Sequence, residues 1–230
     1  MWVKICANTS LEDAQLAAQA GADAIGFVFA ESVRRVTPAK VRAITPKLPL
    51  QIEMYGVFVN ARFEEIASIV EECGLTGVQL HATNDPALAS RLRKHFLREP
   101  RQRPIRILQV IHHGGDLDGQ LRDAQSGSAI DAVLVDSRTA KLVGGTGRKF
   151  DWEAASSFRA ASSHLRMVVA GGLNPENVTE AIRTLRPWGV DVATGVEAAP
   201  GKKDPAKVKA FVENARIAAS LAKLEVEVEA

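Results

Sequence analysis

Eight times along a chain of 230 residues, a short β-branched run gives way to a run with helical periodicity. The strands are expected at Trp2–Cys6, Ala24–Phe29, Ile52–Val59, Gly77–His81, Ile105–Ile111, Ala132–Asp136, Arg166–Ala170 and Val190–Val192. Between and after them, helices are expected at Leu11–Ala20, Pro38–Thr45, Phe63–Glu72, Asp85–His95, Asp151–Ala161, Pro175–Leu185 and Asp204–Leu221, with a weaker one near Leu117–Ala124. Local signals punctuate the pattern: Thr9 and Ser10 before the first helix, Pro38 at the start of the second, and Gly21 and Gly74 after helix ends. Strict βα alternation implies a parallel sheet covered by helices. Eight units in this length fit a closed (β/α)₈ TIM barrel of the α/β class, with an open doubly wound sheet as the runner-up. No interdomain linker interrupts the pattern, so residues 1–230 read as a single domain, with 222–230 a solvated tail. "TGVQLHA" at Thr76–Ala82 resembles "WGVDVAT" at Trp188–Thr194, four units later, as two half-barrels would.

Composition narrows the class. Hydrophobic residues make up 46% and charged residues 24%, as in ordinary globular proteins. A net charge of +2 is no footprint for nucleic acid or for an anionic membrane. The longest stretch without Asp, Glu, Lys or Arg, Cys73–Asn84, is far short of the ~18 apolar residues of a spanning helix. Met1–Ser10 lacks the apolar core of a signal peptide. Cys6 and Cys73 form no disulfide framework, which points to a reducing compartment, the cytoplasm.

Barrel active sites lie where strands end and βα loops begin, so the strand ends carry the candidates. Side chains alternate along a strand. In "VKIC", Val3 and Ile5 should face the helices, which turns Lys4 and Cys6 into the barrel. A strand-end cysteine is more often inert packing than a reactive group, and its place at the rim with a charged neighbour on the same face brings the two readings level. Asp136 closes the sixth strand. Ser137–Lys149 follow it, with Gly144, Gly145 and Gly147, a candidate lid or anion cradle. A carboxyl at the base of such a loop can serve as a general acid, although it can equally form a turn. "AGGLNP" after strand seven and "ATGVE" after strand eight occupy the address where barrels bind phosphate through backbone N–H groups. Together they indicate a small phosphorylated ligand. No metal site is expected: His112 and His113 are adjacent, so their rings diverge, and no Cys/His set has ligand spacing. Cys73 and Trp152 read as packing residues.

In chain order, "VKIC", "AGADAIGFVF", "SVRRVTP", "GVFVN", "VQLHA", "LVDS", "GGTGRKFDW", "AGGLNPENV" and "GVDVATGVEAAPGKKD" resemble the phosphoribosylanthranilate isomerases of tryptophan biosynthesis. The resemblance implies Cys6 as general base and Asp136 as general acid. Arg34 falls on the family's arginine for the anthranilate carboxylate, and Asp191 on an acidic residue facing the substrate. His81 and Gly145 complete the substrate set; Gly171, Gly172, Thr194 and Gly195 form the phosphate set. The implied reaction is an Amadori rearrangement that needs no cofactor. The implied state is a monomer, with a homodimer as the alternative. Some positions depart from the family: Ala7-Asn8-Thr9 stands for Gly-Leu-Thr, and Ala193-Thr194 for two serines. Two other readings compete. The sister isomerase of histidine biosynthesis uses a carboxylate where Cys6 stands. A catalytically silent barrel would bind a phosphorylated ligand without needing Cys6 and Asp136.

Overall fold

Ser10, Thr37 and Asp204 each precede a helical run, and each caps one. Ser10 accepts a hydrogen bond from the Asp13 N–H at 3.1 Å, Thr37 from Lys40 at 3.3 Å, and Asp204 Oδ1 from Ala206 at 2.9 Å. Prolines 38 and 205 follow two of these caps at the first helical position, where the missing N–H costs nothing. A computed structural model describes residues 1–81, 85, 87–97, 104–112, 129–136 and 166–228. In it eight parallel strands close a barrel in chain order. They are β1 (Trp2–Ile5), β2 (Ala24–Val28), β3 (Glu53–Val59), β4 (Gly77–His81), β5 (Arg106–His112), β6 (Ala132–Asp136), β7 (Met167–Ala170) and β8 (Gly189–Val192). The described helices are α1 (Leu11–Gln19), α2 (Pro38–Ile44), α3 (Phe63–Cys73), α4 (Leu88–Leu97), α5 (Val178–Leu185) and α6 (Pro205–Val228). The helices expected at 117–124 and 151–161 lie outside the described residues, as do His113, Gly145 and Trp152. No described helix is long and apolar enough to cross a membrane.

Alternation sorts the strand residues into two cores. Val3, Ile5, Ile25 and Phe27 pack outward with Ala14, Ala17, Val208 and Phe211 of the helices. Trp2, Ala24, Tyr55, Leu108, Leu134 and Val168 pack inside the barrel. The barrel interior is narrow, so bulky inward residues sit beside glycines. A Cβ on Gly77 would meet the Tyr55 ring at 2.5 Å, and one on Gly189 the Trp2 ring at 2.8 Å. These two glycines hold matching places in the repeated heptapeptide.

Several boundaries move for local reasons. Asp85 accepts the Ala87 N–H at 2.9 Å and forms a turn, so α4 starts at Leu88. Asn174 Oδ1 takes the Glu176 and Asn177 N–H groups at 3.0 and 2.9 Å, which holds those residues out of α5. The tail expected beyond Leu221 is helix through Val228. It is rich in Ala, Leu, Lys and Glu and has no Gly or Pro, so nothing in the sequence stops propagation. A short antiparallel pair, β9 (Glu197–Ala199) and β10 (Lys202–Lys203), is additional to the expected elements.

β1 ends at Ile5, one residue before Cys6, because Ala7 adopts φ 61°. The ladder still reaches Cys6, whose N–H donates to Val192 O at 2.7 Å. The left-handed region costs an alanine about 1–2 kcal/mol, of which glycine's greater unfolded-state freedom offsets about 0.5–1 kcal/mol. Ala7→Gly, the residue usual in the resembling family, is therefore expected to stabilise the barrel by roughly 0.5–1 kcal/mol in chemical denaturation. A loss of stability would contradict this account of the bend.

Candidate active site

The C-terminal ends of the strands carry the polar residues. β1 delivers Cys6 and β6 delivers Asp136, each 6% exposed. Parallel register fixes the inward face: Asp136 pairs with His112 on one side and Ala170 on the other. Two strands, β7 and β8, separate β6 from β1 around the ring.

Beneath this rim lies a buried polar layer. Lys4, fully buried, donates from Nζ to Asp191 Oδ1 and to Gln79 Oε1, both at 2.8 Å. Asp191 is on β8 and Gln79 on β4, opposite strands of the ring, so the lysine side chain spans the barrel interior. Since Gln79 accepts from Lys4 through its oxygen, its amide nitrogen faces His81 Nε2 at 2.8 Å. An amide nitrogen can only donate, so His81 accepts at Nε2 and carries its proton on Nδ1. Asp191, Lys4, Gln79 and His81 thus form one chain of contacts across the floor of the site. Burial pulls the Lys4 ammonium down, but Asp191 and Cys6 more than offset it, holding its pKa above the usual lysine value. Burial pushes the Cys6 thiol up; Lys4 and Lys203 pull it down and Asp191 adds to the rise, and the net direction is upward.

The loop after β2 brings Arg34 to the rim while Arg35 faces solvent. Arg34 is gripped bidentately by Glu197 of β9, Nε to Oε1 at 2.8 Å and Nη2 to Oε2 at 2.6 Å. Glu197 also lies 3.6 Å from the buried Lys203 ammonium and accepts the Gly201 N–H at 3.3 Å. Burial opposes ionisation of Glu197, but Arg34 and Lys203 outweigh it and hold its carboxyl below the usual carboxylate range. Lys203 donates to Ala193 O at 3.0 Å; burial pushes its ammonium below the usual lysine value despite Glu197 beside it. Sequence reasoning missed Glu197, Lys203 and Gln79. Gln79 shares inward parity with Gly77 and His81, so alternation alone would have found it. Glu197 and Lys203 lie in a hairpin too short to show a period.

Both glycine loops are where the sequence placed them, and they touch. Gly171 and Gly172 follow β7 with φ 90° and 72°, values that suit glycine. Gly195 lies in the single 3₁₀ turn Thr194–Val196 after β8. It abuts the Leu173 carbonyl so closely that a Cβ would overlap the oxygen. Thr194 and Gly172 are exposed at this junction. Among the described residues, no group of three or more His, Cys, Asp or Glu side chains is gathered as metal ligands would be.

The model of the N-(5′-phosphoribosyl)anthranilate (PRA) isomerase family matches residues 3–214. An N-(5′-phosphoribosyl)anthranilate isomerase from Bacillus cereus (strain AH187) is 43% identical over 218 residues, 94% of this chain and 98% of its own length. The crystal structure of phosphoribosyl anthranilate isomerase from Thermotoga maritima aligns with a TM-score of 0.79 at 36% identity, covering 94% of this chain and 98% of that one. A further structure of such an isomerase, in complex with reduced 1-(o-carboxyphenylamino)-1-deoxyribulose 5-phosphate, aligns with a TM-score of 0.75 at 35% identity, with the same coverage. The family match reaches from β1 to beyond β8, and the chain belongs to the N-(5′-phosphoribosyl)anthranilate isomerase family.

Proposed function

We propose that the chain rearranges N-(5′-phosphoribosyl)anthranilate to 1-(2-carboxyphenylamino)-1-deoxyribulose 5-phosphate, with Asp136 as general acid and Cys6 as general base. The observation that carries this reading is the inward placement of a buried thiol and a buried carboxyl at the same end of the closed barrel. Protonated Asp136 gives its proton to the furanose ring oxygen. The C1′–O bond breaks as the anilino nitrogen lone pair forms the iminium. Cys6 as thiolate then takes the C2′ proton, and those electrons flow to the iminium to give an enolamine. Tautomerisation yields the ketone. The substrate nitrogen is itself the electron sink, so the two side chains cover both proton transfers. Acid and base each typically contribute ~10²–10⁴-fold. A fluorescence assay with phosphoribosylanthranilate, coupled to the next enzyme, tests the reading. Absence of turnover by the purified chain would favour the silent barrel.

Arg34 supports the choice of substrate. A guanidinium offers five N–H donors in a plane, and Glu197 takes two of them. The pairing fixes the plane at the rim, where a carboxylate on an aromatic ring can be met by charge and by stacking. Arg34→Ala is expected to cost about 2–3 kcal/mol in kcat/KM, whereas Arg35→Ala costs little. Equal effects at the two positions would remove this role.

The touching glycine loops support phosphate binding. Because a Cβ at Gly195 would strike backbone while one at Gly172 meets open space, Gly195→Ala is expected to part the loops. It should raise KM several-fold more than it lowers kcat, and weaken competition by inorganic phosphate. An unchanged phosphate inhibition constant in Gly195→Ala would place the anion elsewhere.

A further inference from the structure

We propose that Lys4 is a positioning residue for this chemistry: its buried ammonium, pinned between Asp191 and Gln79, stands against Cys6 as the counter-charge of the thiolate. The inference rests on the reading of Cys6 as the base. A lysine with no solvent exposure in the middle of a barrel calls for a reason, because an ammonium taken out of water loses solvation that one partner rarely restores. Packing alone would be served by Met or Leu. Asp191 supplies one anion and Gln79 a neutral acceptor, each at 2.8 Å. These two residues hold matching positions in the repeated "GVQL" and "GVDV" segments of opposite strands, so Nζ is tethered from both sides of the barrel and cannot withdraw along either wall.

Gly26 shows how close the sulfur is. A Cβ built on Gly26 would lie 2.7 Å from Cys6 Sγ, 3.2 Å from Lys4 Nζ and 3.2 Å from Lys4 Cε. Sulfur and ammonium therefore flank the same small space over β2, which only a residue without a side chain leaves open. Among the described residues, the charged groups that bear on Cys6 are Lys4 from β1, Asp191 from β8 and Lys203 from β10. β2 contributes the uncharged Gly26 at this level. Burial favours the thiol, and so does Asp191. Lys4 is the larger of the two cations opposing them. Asp191 consequently has two opposed effects. It keeps Lys4 charged and in place, and its own negative charge disfavours the thiolate.

The test reads the thiol directly. In a Cys73→Ser background of the full chain, the alkylation rate of Cys6 by iodoacetamide is followed against pH, with the far-ultraviolet thiolate absorbance as a second signal. Lys4→Met is expected to cut alkylation at least tenfold at a fixed pH below the midpoint and to move the midpoint up. Asp191→Asn is expected to move it down, because the nearest anion is gone while the ammonium stays. A purely structural role for Lys4 would not shift the two variants in opposite directions. Turnover in Lys4→Met should fall through kcat, with KM close to the parent. A Cys6 midpoint unchanged by Lys4→Met overturns the proposal. If Lys4→Met does not fold, Lys4→Gln takes its place, and a Cys6 midpoint unchanged in that variant overturns the proposal. The two readings fail separately: parental turnover in Cys6→Ser would refute the base and leave the titration of Cys6 as it is, whereas a normal titration in Lys4→Met refutes the counter-charge and leaves the base standing.

Discussion

Replacing Cys6 with serine is expected to lower kcat at least ~10²-fold while the barrel stays folded. The two side chains are close in size, and the position is held by the backbone through the Cys6 N–H bond to Val192 O at 2.7 Å, which the substitution leaves alone. What changes is acidity. A thiol ionises within reach of neutral pH and a serine hydroxyl does not, so Lys4 would face a neutral group that cannot take the C2′ proton. Steady-state kinetics and a denaturation curve on the same sample check both halves of the expectation. The pH profile checks the mechanism. The base works only after losing its proton and the acid only while keeping one, so kcat/KM reports both groups together, and it is the thiolate fraction, read by alkylation, that must rise as pH passes upward through the Cys6 pKa. Burial pushes that pKa above the ordinary thiol value despite Lys4, so the rise belongs on the alkaline side. A rate near that of the parent in Cys6→Ser would remove Cys6 from the reaction.

Asp136→Asn should be comparably severe and for a different reason. The amide keeps the shape of the carboxyl and a place in the register between His112 and Ala170. It has no proton to deliver to the ring oxygen, so the furanose stays closed and the step at Cys6 never receives its substrate. A loss of at least ~10²-fold in kcat is expected. Binding of the reduced product analogue, measured by calorimetry, should remain within a few-fold of the parent. The reverse outcome, turnover kept and analogue binding lost, would make Asp136 a binding residue. The two substitutions act on successive steps of one path, so the double variant should be hardly worse than the slower single one.

The inward placement of Cys6 and Asp136 was legible in the sequence for a local reason. Alternation along a strand depends only on the pleat, so "VKIC" and "DAVLVD" already told which side chains face inward. The same logic placed Val3 and Ile5 against α1 and α6, and the glycine loops at the rim. Some departures came from backbone turns that the strand and helix periods do not register. The turn at Asn174 shortens α5, and the left-handed Ala7 ends β1 before Cys6. The last helix runs on to Val228, past its expected end at Leu221, because the alternating Leu/Val and Glu pattern hid good helix formers. Arg34 was found by its motif, but its partner Glu197 was not. Those two residues are 163 positions apart and meet only when the loop after β2 and the β9–β10 pair converge.

By itself, then, the sequence determined the number of barrel strands, their places along the chain, and the face on which each strand residue lies. Each of these follows from periods of two and 3.6 residues, which are properties of neighbours along the chain. Tertiary structure decided the electrostatics. Whether Cys6 is pushed up or down could not be read from "VKIC", because burial, Lys4 and Lys203 act on it in opposite senses. The answer depends on closing the ring, which sets Lys4 beside Asp191, 187 residues away in the chain, and shuts the thiol off from water. Charge interactions depend on distance and solvent exposure, and both are fixed only when β1 meets β8.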